Sequence, residues 1–234
     1  MKVLITGASR GIGKAIANVF AKQGHQLFLS SRNEQALERT ADQIAAEYPQ
    51  ATVHCKAFDL SRKEDALALA EWMEQSAGAP DILVNNAGSF EPGSVHNEAD
   101  GVLERQLSIN LFSAYHLTRA LLPLMMKNGQ GRHIFNMCSI ASLKAYDNGG
   151  AYSISKFALY GFSKNLREEM KPHGIKVTAV MPGATLTDSW EGYDNSSRRI
   201  MEAKDIAMMV YASSQLSVQA CVEDIVIRPQ LGDL

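Results

Sequence analysis

Cysteine is scarce in this chain: Cys55, Cys138 and Cys221 are the only three in 234 residues, odd in number and far apart. That excludes a disulfide framework and predicts buried free thiols in a reducing compartment, so the cytosol is the expected location. The six histidines show no metal-ligand spacing, and no metal site is expected. No apolar run approaches the length of a membrane span, and no basic cluster marks a nucleic-acid partner. The opening Met1 to Thr6 turns to glycine too soon for a signal peptide and reads as a buried strand. Repeats and low-complexity linkers are missing as well. Net charge is −2, with 46% apolar and 21% charged residues. These features predict one globular domain over residues 1–234 with a single sizeable core.

What is present is alternation. Short runs rich in apolar and β-branched residues fall at 2–6, 26–31, 52–57, 82–85, 132–138, 176–181 and 222–228. Helical patterns lie between them at 12–23, 34–47, 63–76, 99–127, 152–170 and 203–213, and the methionine pairs 125–126 and 208–209 fall inside two of these as packing residues. The pattern predicts right-handed βαβ crossovers and an α/β, doubly wound (Rossmann-type) fold. Its parallel seven-stranded sheet would carry helices on both faces. Segments 90–97, 140–150 and 186–199 each follow a strand's carboxyl end, where doubly wound sheets bind ligands, and are expected to be mobile.

Gly7, Gly11 and Gly13 separate the first strand from the first helix in Thr6-Gly7-Ala8-Ser9-Arg10-Gly11-Ile12-Gly13. Glycine there permits a tight turn and close backbone approach, and the helix N-terminus favours a pyrophosphate. Further along, Tyr152 and Lys156 stand one helical turn apart, with Ser139 thirteen residues before the tyrosine. Alone, the pair is a buried ring beside a solvated amine; with a serine and a glycine loop it becomes acid–base machinery. An ammonium beside a phenol favours the phenolate, which predicts a lowered Tyr152 pKa and a proton donor working near neutrality.

With Asn85-Asn86-Ala87-Gly88, Ile109-Asn110-Leu111 and Pro182-Gly183-Ala184-Thr185-Leu186-Thr187 added in the same order, the chain resembles the short-chain dehydrogenase/reductase family over nearly its full length. The resemblance implies that Ser139 hydrogen-bonds the reacting carbonyl oxygen and Tyr152 passes it a proton. It implies that Lys156 holds the nicotinamide ribose and that Asn110 supports a proton relay. Cys138 stands where the family commonly has a second serine; Ser139 itself is retained. Cofactor contacts implied are Thr6, Gly7, Ser9, Arg10, Gly11, Ile12 and Gly13 in the first loop, and Ser31 and Arg32 after the second strand. Asp59, Leu60, Asn86, Ala87 and Gly88 follow on the adenosine side, with Asn85 beside them, then Tyr152, Lys156, Pro182, Gly183, Thr185 and Thr187 around the nicotinamide. In isolation Asn85 and Asn86 could form a simple turn and Asp59 a helix-entry cap before Ser61, but the ordered set of motifs shifts them to adenosine-side roles; for Thr187 or Asp188 a helix cap is the alternative.

The second strand ends Ser30-Ser31-Arg32-Asn33, without the carboxylate that NAD-preferring relatives carry there. Arg10, Arg32 and Ser31 suit a 2′-phosphate, and two charge-assisted bonds at about 1.5–3 kcal/mol each favour NADP(H) by roughly a hundredfold. The expected activity is hydride transfer from NADPH to the carbonyl of a small molecule (or the reverse, from an alcohol), in a homodimer or homotetramer. No Gly-x-Ser-x-Gly elbow surrounds Ser139, which excludes a serine hydrolase. A cofactor sensor without turnover is the competing class, and a nucleotide-sugar epimerase would carry a longer C-terminal region. Phe90, Tyr146, Trp190 and Tyr193 are candidate substrate contacts, either as ligand platforms or as packing. Residues 222–234 are similar to sepiapterin-reductase-like members, with Asp233 a candidate anchor; the plain reading is a last strand and a tail.

Overall fold

The computed structural model describes residues 1–127, 130–187, 194–196 and 198–232. Its strands are β1 (Lys2–Thr6), β2 (Gln26–Ser31), β3 (Thr52–Ala57), β4 (Ile82–Asn85), β5 (His133–Met137), β6 (Lys176–Pro182), β7 (Thr185–Leu186), β8 (Met201–Glu202) and β9 (Asp224–Ile227). Seven of them form one sheet in the order β3-β2-β1-β4-β5-β6-β9, every pairing parallel. The chain reverses direction of travel between β1 and β4, and the crevice at their carboxyl ends is where such sheets take ligands. β7 and β8 pair separately beyond β6.

Helices α1 (Gly11–Lys22), α2 (Glu34–Glu47), α3 (Lys63–Ala77), α4 (Val102–Leu107), α5 (Ser113–Met126), α6 (Gly150–Met170) and α7 (Ala203–Ser214) connect the strands. Side chains alternate across each strand, and the core divides accordingly. Val3, Ile5, Leu27 and Leu29 meet Ile16 and Phe20 of α1, Ile44 of α2 and Val210 of α7. Leu4, Phe28 and Leu83 meet Leu69 of α3, Leu121 of α5 and Leu166 of α6 on the opposite face. β4 and β5 are buried along their whole length and β1 from Val3 onward, as strands covered on both faces are; β3, at the sheet edge, alternates half-buried and exposed residues. The doubly wound fold read from the sequence is the one observed.

One long element differs. The helical pattern 99–127 is three pieces: Gly101 takes φ +83° just before α4, and a π-helical turn, Ser108–Phe112, joins α4 to α5. The wide turn surrounds buried Asn110, whose side chain is held from three directions, as π-turns at functional sites commonly are. The other boundaries shift by a few residues.

Candidate active site

The loop from β1 to α1 is shaped by close approaches that exclude side chains. Gly7 and Gly11 have φ of +62° and +54°, in the left-handed region. A Cβ on Gly13 would strike the Gly7 carbonyl and the Asn86 amide. Asn86 explains this crowding: its Nδ2 donates to the carbonyls of Thr6 (2.9 Å) and Gly7 (3.1 Å). Thr6 Oγ1 in turn accepts from the backbone N–H groups of Asn86 and Ala87, both at 2.9 Å. The carboxyl ends of β1 and β4 are thereby laced into one rim. No side chain caps α1 at Arg10, so its first N–H groups face outward from this rim.

On the β2 side, Ala8 N donates to Ser30 O (3.0 Å) and Thr40 Oγ1 to Ser9 O (2.8 Å), which brings the glycine loop alongside the end of β2. Arg10 and Arg32 are both exposed there, with Ser31 Oγ on the Asn33 carbonyl at 3.3 Å. Asp59 folds back on the entry to α3, accepting from Ser61 N (3.1 Å) and Oγ (2.7 Å), beside buried Leu60. Asp59 thus forms a tight turn through Ser61 ahead of α3, whose N-cap position is Arg62. Asn85 departs from its expected adenosine-side place: it is buried, donating to Thr118 Oγ1 (2.9 Å) and Asn136 Oδ1 (2.8 Å), and it braces the sheet against α5. On the opposite side, Gly183 N donates to Ile227 O (2.8 Å) and Thr185 Oγ1 to Gly183 O (2.9 Å). Thr187 lies over Gly11, within 3.4 Å of where a Cβ would sit. The segment after β6 thus returns onto the glycine loop.

Beyond β5, Ser139 Oγ accepts from Ala141 N (3.1 Å) at the start of a short 3₁₀ turn, and Ser142 Oγ donates to the Lys156 carbonyl (2.8 Å), fastening that turn to α6. Ser139 faces the Tyr152 phenol closely enough to favour its ionised form. Lys156 is buried beneath the tyrosine ring, its Nζ 5.7 Å from the centroid and donating to the Met137 carbonyl at 2.8 Å. Burial depresses its pKa to about 8. The lowered phenol pKa expected from the sequence is not what the site produces. Burial raises Tyr152 above its ordinary value, and Ser139 opposes that without overcoming it. The geometry supplies the reason: the ammonium sits under the ring face and turns to a carbonyl, away from the phenol oxygen. The neighbouring Cys138 thiol is pushed up to about 11 by burial and stays unionised at neutral pH.

Asn110 completes the cluster as a strut. Its Oδ1 accepts from Ser89 N (2.9 Å), and its Nδ2 lies 3.0 Å from Ser89 O and 2.9 Å from both Gln106 Oε1 and Ser155 Oγ. Ser155 Oγ donates to the Tyr152 carbonyl (2.7 Å), so the strut reaches the helix that carries the tyrosine. Gln106, fully buried, also approaches Ser89 Oγ (3.1 Å) and Glu91 Oε1 (3.3 Å), and Glu91 pairs with Arg105 at 3.1 Å. Gln106 was missed in the sequence, although it lies one helical turn before Asn110. Gly88, between Asn86 and Ser89, is packed against Asn110 and Lys156.

The mouth of the site is aromatic. Phe90 meets Tyr152 edge-on, ring centroids 4.9 Å apart. Tyr146 lies near Tyr152, and burial pushes its own pKa up to about 12. Asp188, Trp190, Tyr193 and Asp233 lie outside the described residues. Segment 90–97, expected to be mobile, is pinned: Gly93 bridges Gly149, and Gly93 N donates to Asn148 O at 3.1 Å. No helix among the described residues is long and apolar enough to cross a membrane.

A family model described as short chain dehydrogenase matches residues 1–197. An uncharacterized oxidoreductase of Staphylococcus saprophyticus is 30% identical over 226 residues, covering 97% of this chain and 96% of its own. A metagenomic short-chain oxidoreductase solved in complex with NADP is 30% identical with a TM-score of 0.84, over 98% of this chain and 97% of that one. An L-sorbose reductase from Gluconobacter frateurii, solved with NADPH and L-sorbose, is 28% identical with a TM-score of 0.89, over 97% and 94% of the two chains.

Proposed function

This chain belongs to the short-chain dehydrogenase family, and from that premise we propose that it is a cytosolic NADPH-dependent carbonyl reductase. The observation that carries the reading is the convergence of Ser139, Tyr152 and Lys156, the lysine beneath the tyrosine ring and Asn110 braced behind. The residues fit a dinucleotide. Two left-handed glycines and a third with no room for a Cβ leave backbone in contact distance of a ligand, and uncapped α1 offers N–H groups to a pyrophosphate. Arg10, Ser31 and Arg32 would take the 2′-phosphate, and Lys156 with Thr187 the nicotinamide end. Bound NADPH supplies the hydride.

The protein's own share is orientation and one proton. Ser139 Oγ holds the carbonyl oxygen beside the Tyr152 hydroxyl, and Tyr152, neutral because burial raises its pKa, gives that oxygen a proton. Lys156, cationic below about pH 8, would hold the nicotinamide ribose and so orient the ring toward the carbonyl. Phe90 and Tyr146 favour planar or ring-bearing ketones and diketones over a long acyl chain, and a pterin-like carbonyl belongs to that class. Of the three thiols expected to be buried only Cys138 is; Cys55 is half-buried and Cys221 exposed.

Cofactor choice tests the reading. With a panel of small carbonyls and absorbance as readout, kcat/KM with NADPH should exceed that with NADH by about tenfold or more, and Arg32→Asp should narrow or invert the ratio. Equal use of both cofactors contradicts the phosphate assignment; no NADPH oxidation with any carbonyl contradicts the reductase. An aryl diketone or sepiapterin should react faster than an acetoacetyl thioester.

Assembly is the second expectation. A groove between α5 and α6, lined by Leu111, Phe112, Tyr115 and Phe162, leaves apolar surface exposed alongside Ile154 and Phe157. A second copy covering it would give an isologous dimer, or half of a D₂ tetramer. Sedimentation at micromolar concentration should show two or four chains; a single-chain species contradicts it.

A further inference from the structure

The N-terminus of α6, which carries Tyr152 and Lys156, is held from outside the helix. Gly149 stands at the N-cap position and offers no side chain, and no acidic residue lies in the first turn. Instead Glu98, from the segment before α4, reaches across: its Oε1 accepts from Ala151 N at 2.7 Å. The fit is close. A Cβ on Gly150 would collide with the Glu98 carboxylate, and one on Gly93 would come within 2.7 Å of its Cγ. Glycine at both places admits this side chain.

Ala151 immediately precedes Tyr152. The tyrosine's backbone is thus gripped on both sides, by Glu98 through the Ala151 amide and by Asn110 through Ser155 and the Tyr152 carbonyl. The same segment delivers Phe90 to the tyrosine ring and is tied to Asn148 and Gly149. A carboxylate at a helix N-terminus also interacts favourably with the aligned peptide dipoles.

We infer that Glu98 is a positioning residue for catalysis: by holding the first turn of α6, it fixes the Tyr152 hydroxyl against Ser139 and the Phe90 wall. The inference rests on the reductase reading for its consequence and on the Ala151 contact for its geometry. Apart from Tyr152, the residues assigned to the cofactor lie on the β1, β2, β3 and β4 rim, in 182–187 and at Lys156, one turn further along, so Glu98 acts on proton transfer and leaves NADPH affinity nearly alone.

Two variants test it in the full-length protein. Glu98→Ala removes the acceptor; Glu98→Gln keeps a carbonyl oxygen at the same reach. A misplaced acid loses rate steeply with distance, so Glu98→Ala should lower kcat by about tenfold or more, and Glu98→Gln should return it to within about threefold of wild type. The NADPH dissociation constant, read by fluorescence, should stay within about twofold in both. Hydrogen exchange at the Ala151 amide should speed up by about tenfold in Glu98→Ala, with the rest of α6 unchanged. Unchanged kcat, a Gln variant as slow as the Ala variant, or loss of NADPH binding in parallel would overturn the inference. A wild-type protein inert toward every carbonyl sinks the reductase reading instead. Exchange at Ala151 then decides Glu98 by itself, and an unaltered rate there overturns it.

Discussion

Tyr152→Phe is expected to lower kcat about 10²- to 10⁴-fold, the usual share of general acid–base catalysis, with NADPH affinity nearly unchanged. The substitution deletes one oxygen and keeps the ring, so the edge-on contact with Phe90 at 4.9 Å and the Lys156 Nζ beneath the ring persist. What disappears is the hydroxyl that faces Ser139. The direction of the pKa shift sharpens the expectation. Because burial raises Tyr152, the phenol stays protonated through the neutral range, and the wild-type reduction rate should show no loss from tyrosine ionisation below pH 9. Single-turnover kinetics with saturating NADPH measure this directly. Turnover retained in Tyr152→Phe would assign the proton to another group, with Tyr146 beside it the first to test.

The sheet was legible because its chemistry is local. A strand covered on both faces is mostly apolar along its length, and the stretches 3–5, 82–84 and 134–135 of β1, β4 and β5 are. Ser139, Tyr152 and Lys156 were legible because fixed spacing on one helix, after one strand, brings them together. The misses share another cause: they depend on partners distant in sequence. Glu98 reaches Ala151 across 53 positions, and no periodicity encodes that contact. Asn85 looked like part of a ligand-facing turn because its neighbour Asn86 is, yet strand alternation sends it to the opposite side, onto Thr118 and Asn136. The long helix around Asn110 breaks where a buried amide needs several partners at once, which a helical pattern does not display. The Tyr152 pKa was misjudged in sign because charge spacing shows in a sequence and depth of burial does not.

Lys156→Met should damage binding and turnover together, lowering kcat/KM for NADPH by about 10³-fold. Losing one charge-assisted bond to the cofactor, about 1.5–3 kcal/mol, accounts for roughly 10- to 100-fold. Misplacement of the nicotinamide ring that Lys156 would orient through the ribose removes about 10²-fold more. The pH profile separates this from a packing defect. Since kcat/KM for NADPH reports groups of the free enzyme, it should fall as pH rises through about 8, where buried Lys156 loses its proton, and the variant should lack that limb. Stability should move the other way. The folded-state pKa of about 8 lies below the ordinary 10.5, so between those values the unfolded chain binds the extra proton. Stability therefore rises with pH across that window, by about 1.4 kcal/mol per unit, and is lost again as pH falls through about 8. Denaturant titrations at pH 7 to 10 should show that slope in the wild type and its absence in Lys156→Met. A variant with wild-type NADPH kinetics and an unchanged slope would mean that the amine under Tyr152 neither holds the cofactor nor carries the strain of its burial.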